Sequence, residues 1–282
     1  MQSSRRTKSI RAAALAAALM TVAGLIACGK SPPGNAAEDA ARTQAAAQPS
    51  LPQTGFRGLD EYRASRIAVL VDDFGELGRY REANAKLPAP GPQENRVVFF
   101  GDSATELWKL ESYFPGKPYV NRGIDGQTTA QMLVRFRQDV IDLHPRVVVI
   151  LAGSNDIAGV TGPARNDDIE ANYASFAQLA RANRVEVVLS SILPVNNYAP
   201  FSKDFFAQRP GRRIVELNDW LRSYCAASGV VYLDYFSAMV DERGLMKREL
   251  AEADGLHPSA AGYRVMAPLA EAAIARALSA KP

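Results

Sequence analysis

Histidine and cysteine are nearly missing from this 282-residue chain, which carries two of each: His144, His257, Cys28 and Cys225. Two distant histidines and no cysteine cluster cannot assemble a usual transition-metal site, so neither a metal nor any other cofactor is expected. Long apolar runs are lacking as well. The run from Ala12 to Ile26 is too short to cross a bilayer comfortably, and it follows Arg5, Arg6, Lys8 and Arg11 in the pattern of a secretory signal. Removing those four basic residues turns the formal charge of +3 into −1, which leaves no basic footprint for nucleic acid.

The leader ends in Leu25-Ile26-Ala27-Cys28, which resembles the lipobox of bacterial lipoproteins, where the chain is cut before a cysteine that then takes lipid. Residues 1–27 are therefore expected to be a signal peptide. Cys28 is expected to anchor an exported protein to a membrane of the bacterial cell envelope, on the periplasmic or surface side. With Cys28 so used, Cys225 has no partner for an internal disulfide. It shares an apolar stripe with Leu217, Leu221 and Tyr224 and reads as a core residue. Residues 28–54 are rich in Ala, Pro, Gln and Ser, so burial cannot offset the entropy of ordering them and a tether is expected. Residues 55–282 then form one domain.

Within that domain, short apolar runs alternate with segments of helical period. Strands are expected at Arg96 to Phe100, Tyr119 to Asn121, Val147 to Leu151, Val185 to Ser190 and Val230 to Leu233. Between them lie one-faced helical segments marked by Leu133, Phe136, Val140 and Leu143; by Ile169, Tyr173, Phe176 and Leu179; and by Ile214, Leu217, Leu221 and Tyr224. Such alternation requires parallel pairing with right-handed crossovers, hence an α/β fold with helices on both faces of the sheet. The segment from Tyr62 to Leu87, with Ile67, Leu70, Phe74, Leu77 and Tyr80, is expected to pack on the sheet. Pro268 is expected to kink or restart the last helix, Ser259 to Leu278.

The stretch VVFFGDSATELW, Val97 to Trp108, places Ser103 at a strand-to-helix corner. The first N–H groups of a helix have no internal partner there, so a serine can attack a carbonyl while its own N–H faces the oxyanion. A plain helix N-cap would look the same. A nucleophile needs a base, and His144, in Leu143-His144-Pro145 just before a strand, falls at the opposite edge of the sheet. His257 follows the last strand in Asp254-Gly255-Leu256-His257-Pro258, where Asp254 can turn back onto the imidazole and leave Nε2 for the serine. Two further loops, Asn121 to Thr128 and Gly153 to Asp156, follow the second and third strands and offer glycine N–H groups and an amide donor at the same edge.

Gly101 to Ser103, the Gly126 loop, GSND at Gly153 to Asp156 and DGLH at Asp254 to His257 resemble, in order, the four blocks of the SGNH (GDSL) hydrolase superfamily, over about Arg96 to Leu278. The second block, NRGIDGQTT, is most similar to the platelet-activating-factor acetylhydrolase-like branch. The resemblance implies a three-layer α/β/α sandwich with a flavodoxin-like five-stranded parallel sheet. It also implies Ser103 as nucleophile, His257 as base, Asp254 as its orienter, and an oxyanion hole from the Ser103 N–H, the Gly126 N–H and the Asn155 side chain. Relatives often carry a small residue where this chain has Asp125, whose charge could disfavour anionic acyl groups.

The implied activity is a serine esterase or acylhydrolase acting on lipid or simple acyl esters, its partners being a small-molecule or glycan ester and the membrane. An O-acetyl esterase of cell-wall or dietary polysaccharide and a non-catalytic surface binding lipoprotein stand beside it. An α/β-hydrolase is disfavoured because Gly101-Asp102-Ser103-Ala104-Thr105 lacks the second glycine of G-x-S-x-G. The long stretch Pro194 to Arg213 combines Tyr198, Phe201, Phe205 and Phe206 with Lys203, Arg209, Arg212 and Arg213. It is expected to form a substrate wall at the carboxyl edge of the sheet.

Overall fold

The computed structural model describes residues 51–279. The expected signal peptide, Cys28 and most of the tether lie outside these residues. The first half of the domain runs α1 (Arg57–Asp72), α2 (Arg81–Lys86), β1 (Val97–Gly101), α3 (Ser103–Glu106), α4 (Leu110–Tyr113), β2 (Tyr119–Gly123), α5 (Thr129–Asp139), β3 (Val147–Leu151) and α6 (Ser154–Ala158). It continues with α7 (Asn166–Ala182), β4 (Glu186–Ser190), α8 (Ser202–Ala207), α9 (Gly211–Ser228), β5 (Val231–Leu233), α10 (Phe236–Met239) and α11 (Ala260–Ser279).

All five strands are parallel, in the order β2-β1-β3-β4-β5. Because successive side chains point to opposite faces and both faces are covered, β1 and β3 are apolar throughout rather than alternating. Val98 and Phe100 enter the core beneath α5, α7 and α9, where the Phe100 ring meets Phe136 at 5.4 Å and Phe176 at 6.0 Å. Val97 and Phe99 enter the other core, beneath α11, with Trp108 and Phe114. Cys225 is buried in the first core, and burial pushes its thiol up to about 12.

The register places the site. Gly101 of β1 pairs with Gly123 of β2 and Leu151 of β3, so the three strands end level and their loops emerge side by side. The chain leaves β1 for a neighbour on one side and then returns to the other, the switch point at which doubly wound sheets bind ligands.

One expectation fails. The α1 and α2 segment does not cover the sheet, whose faces are already filled by the helices that follow the strands. Ile67 and Phe74 are exposed and Val71 is 79% accessible. Instead Leu59, Phe56 and Tyr62 of this segment pack on Ala158 and Val160 at the carboxyl edge, and the α1–α2 loop is held by polar bonds. There the Gln127, Gln131 and Gln138 amides donate to the carbonyls of Gly75, Phe74 and Leu77. Of the two outcomes expected at Pro268, the helix does not restart there: α11 runs as one element to Ser279. Pro268 and Arg264 are both exposed, so water can take the Arg264 carbonyl that the proline leaves without a donor.

Candidate active site

β1 stops at Gly101, where a Cβ would come within 2.5 Å of the Leu151 carbonyl, and the chain turns at once into α3. Asp102 caps that helix by accepting from the Ala104 N–H at 3.1 Å, so Ser103 is its first helical residue and not its cap. Burial pushes the Asp102 carboxyl up to about 6, against the Ala104 bond and the nearby His257. Two residues remote in sequence fix the corner. Asn121 donates to the carbonyls of Thr105 and Trp108 at 2.6 and 2.9 Å, and the Tyr263 hydroxyl of α11 donates to the Ala104 carbonyl at 2.8 Å.

The loop before α11 brings in the second half of the site. Asp254 Oδ1 accepts from the backbone N–H of Leu256 at 2.9 Å and of His257 at 3.0 Å, and its Oδ2 accepts from His257 Nδ1 at 2.6 Å. With its proton on Nδ1, the imidazole turns Nε2 to within 2.9 Å of Ser103 Oγ. Burial works against charge on Asp254, but the bonds from the His257 ring and from the two N–H groups outweigh it and hold the carboxyl near 2. Burial likewise disfavours imidazolium, yet the Asp254 bond and charge, with Asp102 and Asp125 beyond, raise His257 above its ordinary value. Gly255 has φ +67, and a Cβ there would stand 2.5 Å from the Asn196 carbonyl and 2.6 Å from Ser202 Cβ. The loop can close on the serine only because that residue has no side chain.

Among the described residues the N–H groups of Ser103 and Gly126 have no hydrogen-bond acceptor. The buried Asn155 side chain of α6 donates through Nδ2 to the Gln127 carbonyl at 3.1 Å, which leaves its second amide hydrogen free. Ser103, His257 and Asn155 line a hollow of about 20 Å³ together with Ala152, Ile192 and Leu193. Gly126, with φ +71, is not one of the residues that line it. The Tyr62 hydroxyl of α1 occupies the space where a Gly126 Cβ would be and donates to Asp125 Oδ2 at 3.2 Å. Burial, with the Asp125 charge behind it, pushes that phenol up to about 12, so it stays a neutral donor.

Three further residues shape the site, and two of them, Tyr62 and Arg135, were not singled out for it by sequence reasoning. Tyr62 lies far upstream of the first strand. Arg135, fully buried in α5, donates to the carbonyls of Gly101 and Arg122 at 3.0 and 2.9 Å and to Gln127 Oε1 at 2.5 Å, tying the ends of β1 and β2 to the Gly126 loop. Its one legible signal is Asp139, four residues on along the same helix face, with which it pairs at 3.1 Å. Arg209, expected in the substrate wall, is buried beside Ser154 and Asn155.

Part of the stretch expected to form that wall folds into α8. Tyr198 donates to Asp241 between the guanidinium groups of Arg243 and Arg248, Phe201 is 77% exposed, Phe205 is exposed, and Phe206 packs on the core beneath α9. None of the four lines the hollow beside Ser103. His144 is exposed in a left-handed turn before β3, at the far edge of the sheet. Among the described residues no three His, Cys, Asp or Glu side chains gather to share a metal ion, and no helix is long and apolar enough to cross a membrane.

Residues 99–265 match the GDSL-like Lipase/Acylhydrolase family. A GDSL-like lipase from Bacteroides thetaiotaomicron, known from its crystal structure, is 38% identical with a TM-score of 0.67; the match covers 73% of this chain and 100% of that one. The uncharacterized lipoprotein YqeF of Bacillus subtilis is 25% identical over 207 residues, 60% of this chain and 85% of that protein. The esterase TesA of Pseudomonas aeruginosa is 31% identical over 143 residues, 50% of this chain and 62% of that protein.

Proposed function

Since the chain belongs to the GDSL-like lipase/acylhydrolase family and is an ester hydrolase, we propose that Ser103, His257 and Asp254 carry out the hydrolysis through an acyl-enzyme. The observation that carries this reading is the continuous pair of contacts, Ser103 Oγ to His257 Nε2 at 2.9 Å and His257 Nδ1 to Asp254 Oδ2 at 2.6 Å. Ser103 Oγ attacks the acyl carbonyl as its proton passes to Nε2, and Asp254 stabilises the imidazolium that forms. The N–H groups of Ser103 and Gly126 and the free hydrogen of Asn155 receive the negative oxygen. His257 then gives its proton to the departing alkoxide, a water attacks the acyl-serine by the reverse route, and a carboxylic acid leaves. Ser103→Ala should lower turnover by several orders of magnitude and abolish labelling by a fluorophosphonate without unfolding the domain. Retention of more than about a tenth of the activity would overturn the reading.

The acyl group proposed is short. A hollow of about 20 Å³ holds little more than a water molecule needs and suits an acetyl methyl, whereas a long acyl chain would have to lie outside it. A series of p-nitrophenyl esters tests this: kcat/KM should be highest for the acetyl ester and fall as the chain lengthens, and a maximum at eight or more carbons would refute it. Acetyl esters of simple alcohols and of glycan hydroxyls share that acyl end. The sequence Leu25-Ile26-Ala27-Cys28 and the likeness to a lipoprotein support export and anchoring through Cys28.

A further inference from the structure

Asn155 can serve as an oxyanion donor only if its amide presents nitrogen rather than oxygen to the hollow. The two ends of a carboxamide are nearly the same shape, so packing alone does not choose between them. We propose that Arg209, together with the Gln127 carbonyl on the other side, makes the choice, as a positioning residue that acts through Asn155; this rests on the oxyanion role given to Asn155 above.

Arg209 is 3% exposed, and among the described residues it forms no ion pair with a carboxylate. Its bonds run to neutral acceptors: Nε to Ser154 Oγ at 2.8 Å, Nη1 to the Phe205 carbonyl and Gln208 Oε1 at 3.3 Å each, and Nη2 to Asn155 Oδ1 at 3.2 Å. A guanidinium has five donors and no acceptor, so the atom of Asn155 that faces it must be the oxygen. Nδ2 is thereby turned the other way, where one hydrogen meets the Gln127 carbonyl and the other is left free in a side chain that lines the hollow. Flipped, the same amide would point a lone pair at the developing oxyanion. Burial pulls the Arg209 pKa down to about 10, opposed by Asp102 and Asp254, so the group remains a cation at neutral pH. A buried charge without an ion-pair partner is expensive to keep. Here its field also draws electron density toward Oδ1 and sharpens the Nδ2–H donor.

The test is a double-mutant cycle on the intact protein with p-nitrophenyl acetate. Arg209→Met should lower kcat roughly 10-fold to 100-fold with KM within about twofold, since the oriented amide matters only in the transition state. In an Asn155→Ala background the same substitution should lower kcat by less than about twofold more, because the group it orients is gone. Arg209→Lys should recover less than half of the lost activity on a logarithmic scale, as one ammonium cannot reach both Ser154 and Asn155. If Arg209→Met does not fold, Ser154→Ala replaces it: cutting the Nε bond alone should cost several-fold in kcat, again only when Asn155 is present. Losses that multiply in the double variant, a loss confined to KM, or full recovery by lysine would each overturn the proposal. Ser103→Ala separates the two readings. An active Ser103→Ala protein defeats the nucleophile assignment itself, whereas an inactive one with an additive Arg209–Asn155 cycle defeats only the role given to Arg209.

Discussion

Replacing Arg135 by Met tests how the floor of the site is built. The guanidinium is wholly inaccessible, lies 4.2 Å over the Phe100 ring, pairs with the equally buried Asp139, and donates to the Gly101 and Arg122 carbonyls and to Gln127. Burial draws its pKa down to about 10, partly offset by Asp139, so the guanidinium is a cation at neutral pH. Met fills much of the same volume but strands the Asp139 charge and removes the donor from three buried acceptors. Removing one member of a buried pair costs about 3 to 5 kcal/mol. Asp139 keeps the Asn84 amide at 2.6 Å, which argues for the lower half of that range. For a domain of this size the loss corresponds to a fall in Tm of roughly 6 to 16 °C. Urea unfolding followed by the fluorescence of Trp108 and Trp220 measures it directly. The partner experiment is Arg135→Met with Asp139→Leu: once the stranded carboxylate is removed, the double variant should be more stable than the single one, and Asn84 still has the Gln138 carbonyl to bond. A loss below about 1 kcal/mol for the single variant, or a double variant less stable than it, would refute the reasoning.

The pH profile offers a second test. His257 must be neutral to accept the serine proton, and its raised pKa places the acid limb of kcat/KM above the ordinary histidine range. It faces Asp254 on its own loop, Asp102 ahead of α3 and Asp125 after β2. Asp125→Asn removes one of these charges, lowers the His257 pKa and should move that limb to lower pH; an unmoved limb would show that Asp125 does not act on the imidazole. Gly255→Ala, at φ +67 and pressed on Asn196, should cost about 1 to 2 kcal/mol from backbone strain alone and lower kcat by displacing the His257 loop. Unchanged stability and kcat would refute the close fit. Cys28→Ser should release activity from the membrane fraction or leave an uncut precursor, and unaltered lipid labelling at that position would refute the anchor.

Much of the architecture was legible because it depends on local order. Two-face burial makes β1 and β3 apolar throughout, the helices between strands repeat at 3.6 residues, and only parallel pairing accommodates that alternation. Ser103, Gly126 and Asn155 were legible for a related reason. Each lies within a few residues of the carboxyl end of β1, β2 or β3, and in a parallel sheet those ends converge, whereas Asp254 and His257 stand well past β5 and show only through their own Asp-x-x-His spacing. Strand ends were less sharp: β2 continues two residues past Asn121, since pairing with Phe100 and Gly101 of β1 decides where it stops.

What the tertiary structure alone decided are the polar groups whose partners lie far away in the chain. The Arg135 contacts with the ends of β1 and β2, the Arg209 contact with Asn155 and the Tyr62 hydroxyl against Gly126 span separations that no periodicity encodes. An arginine in a sequence reads as a surface charge because solvation normally keeps it there. Whether it is instead buried depends on the acceptors that folding gathers around it, and those come from other elements. The same limit explains α1 and the aromatic stretch from Tyr198 to Phe206. Apolar residues report only that some surface will be covered, and the available faces were settled by the helices that follow the strands.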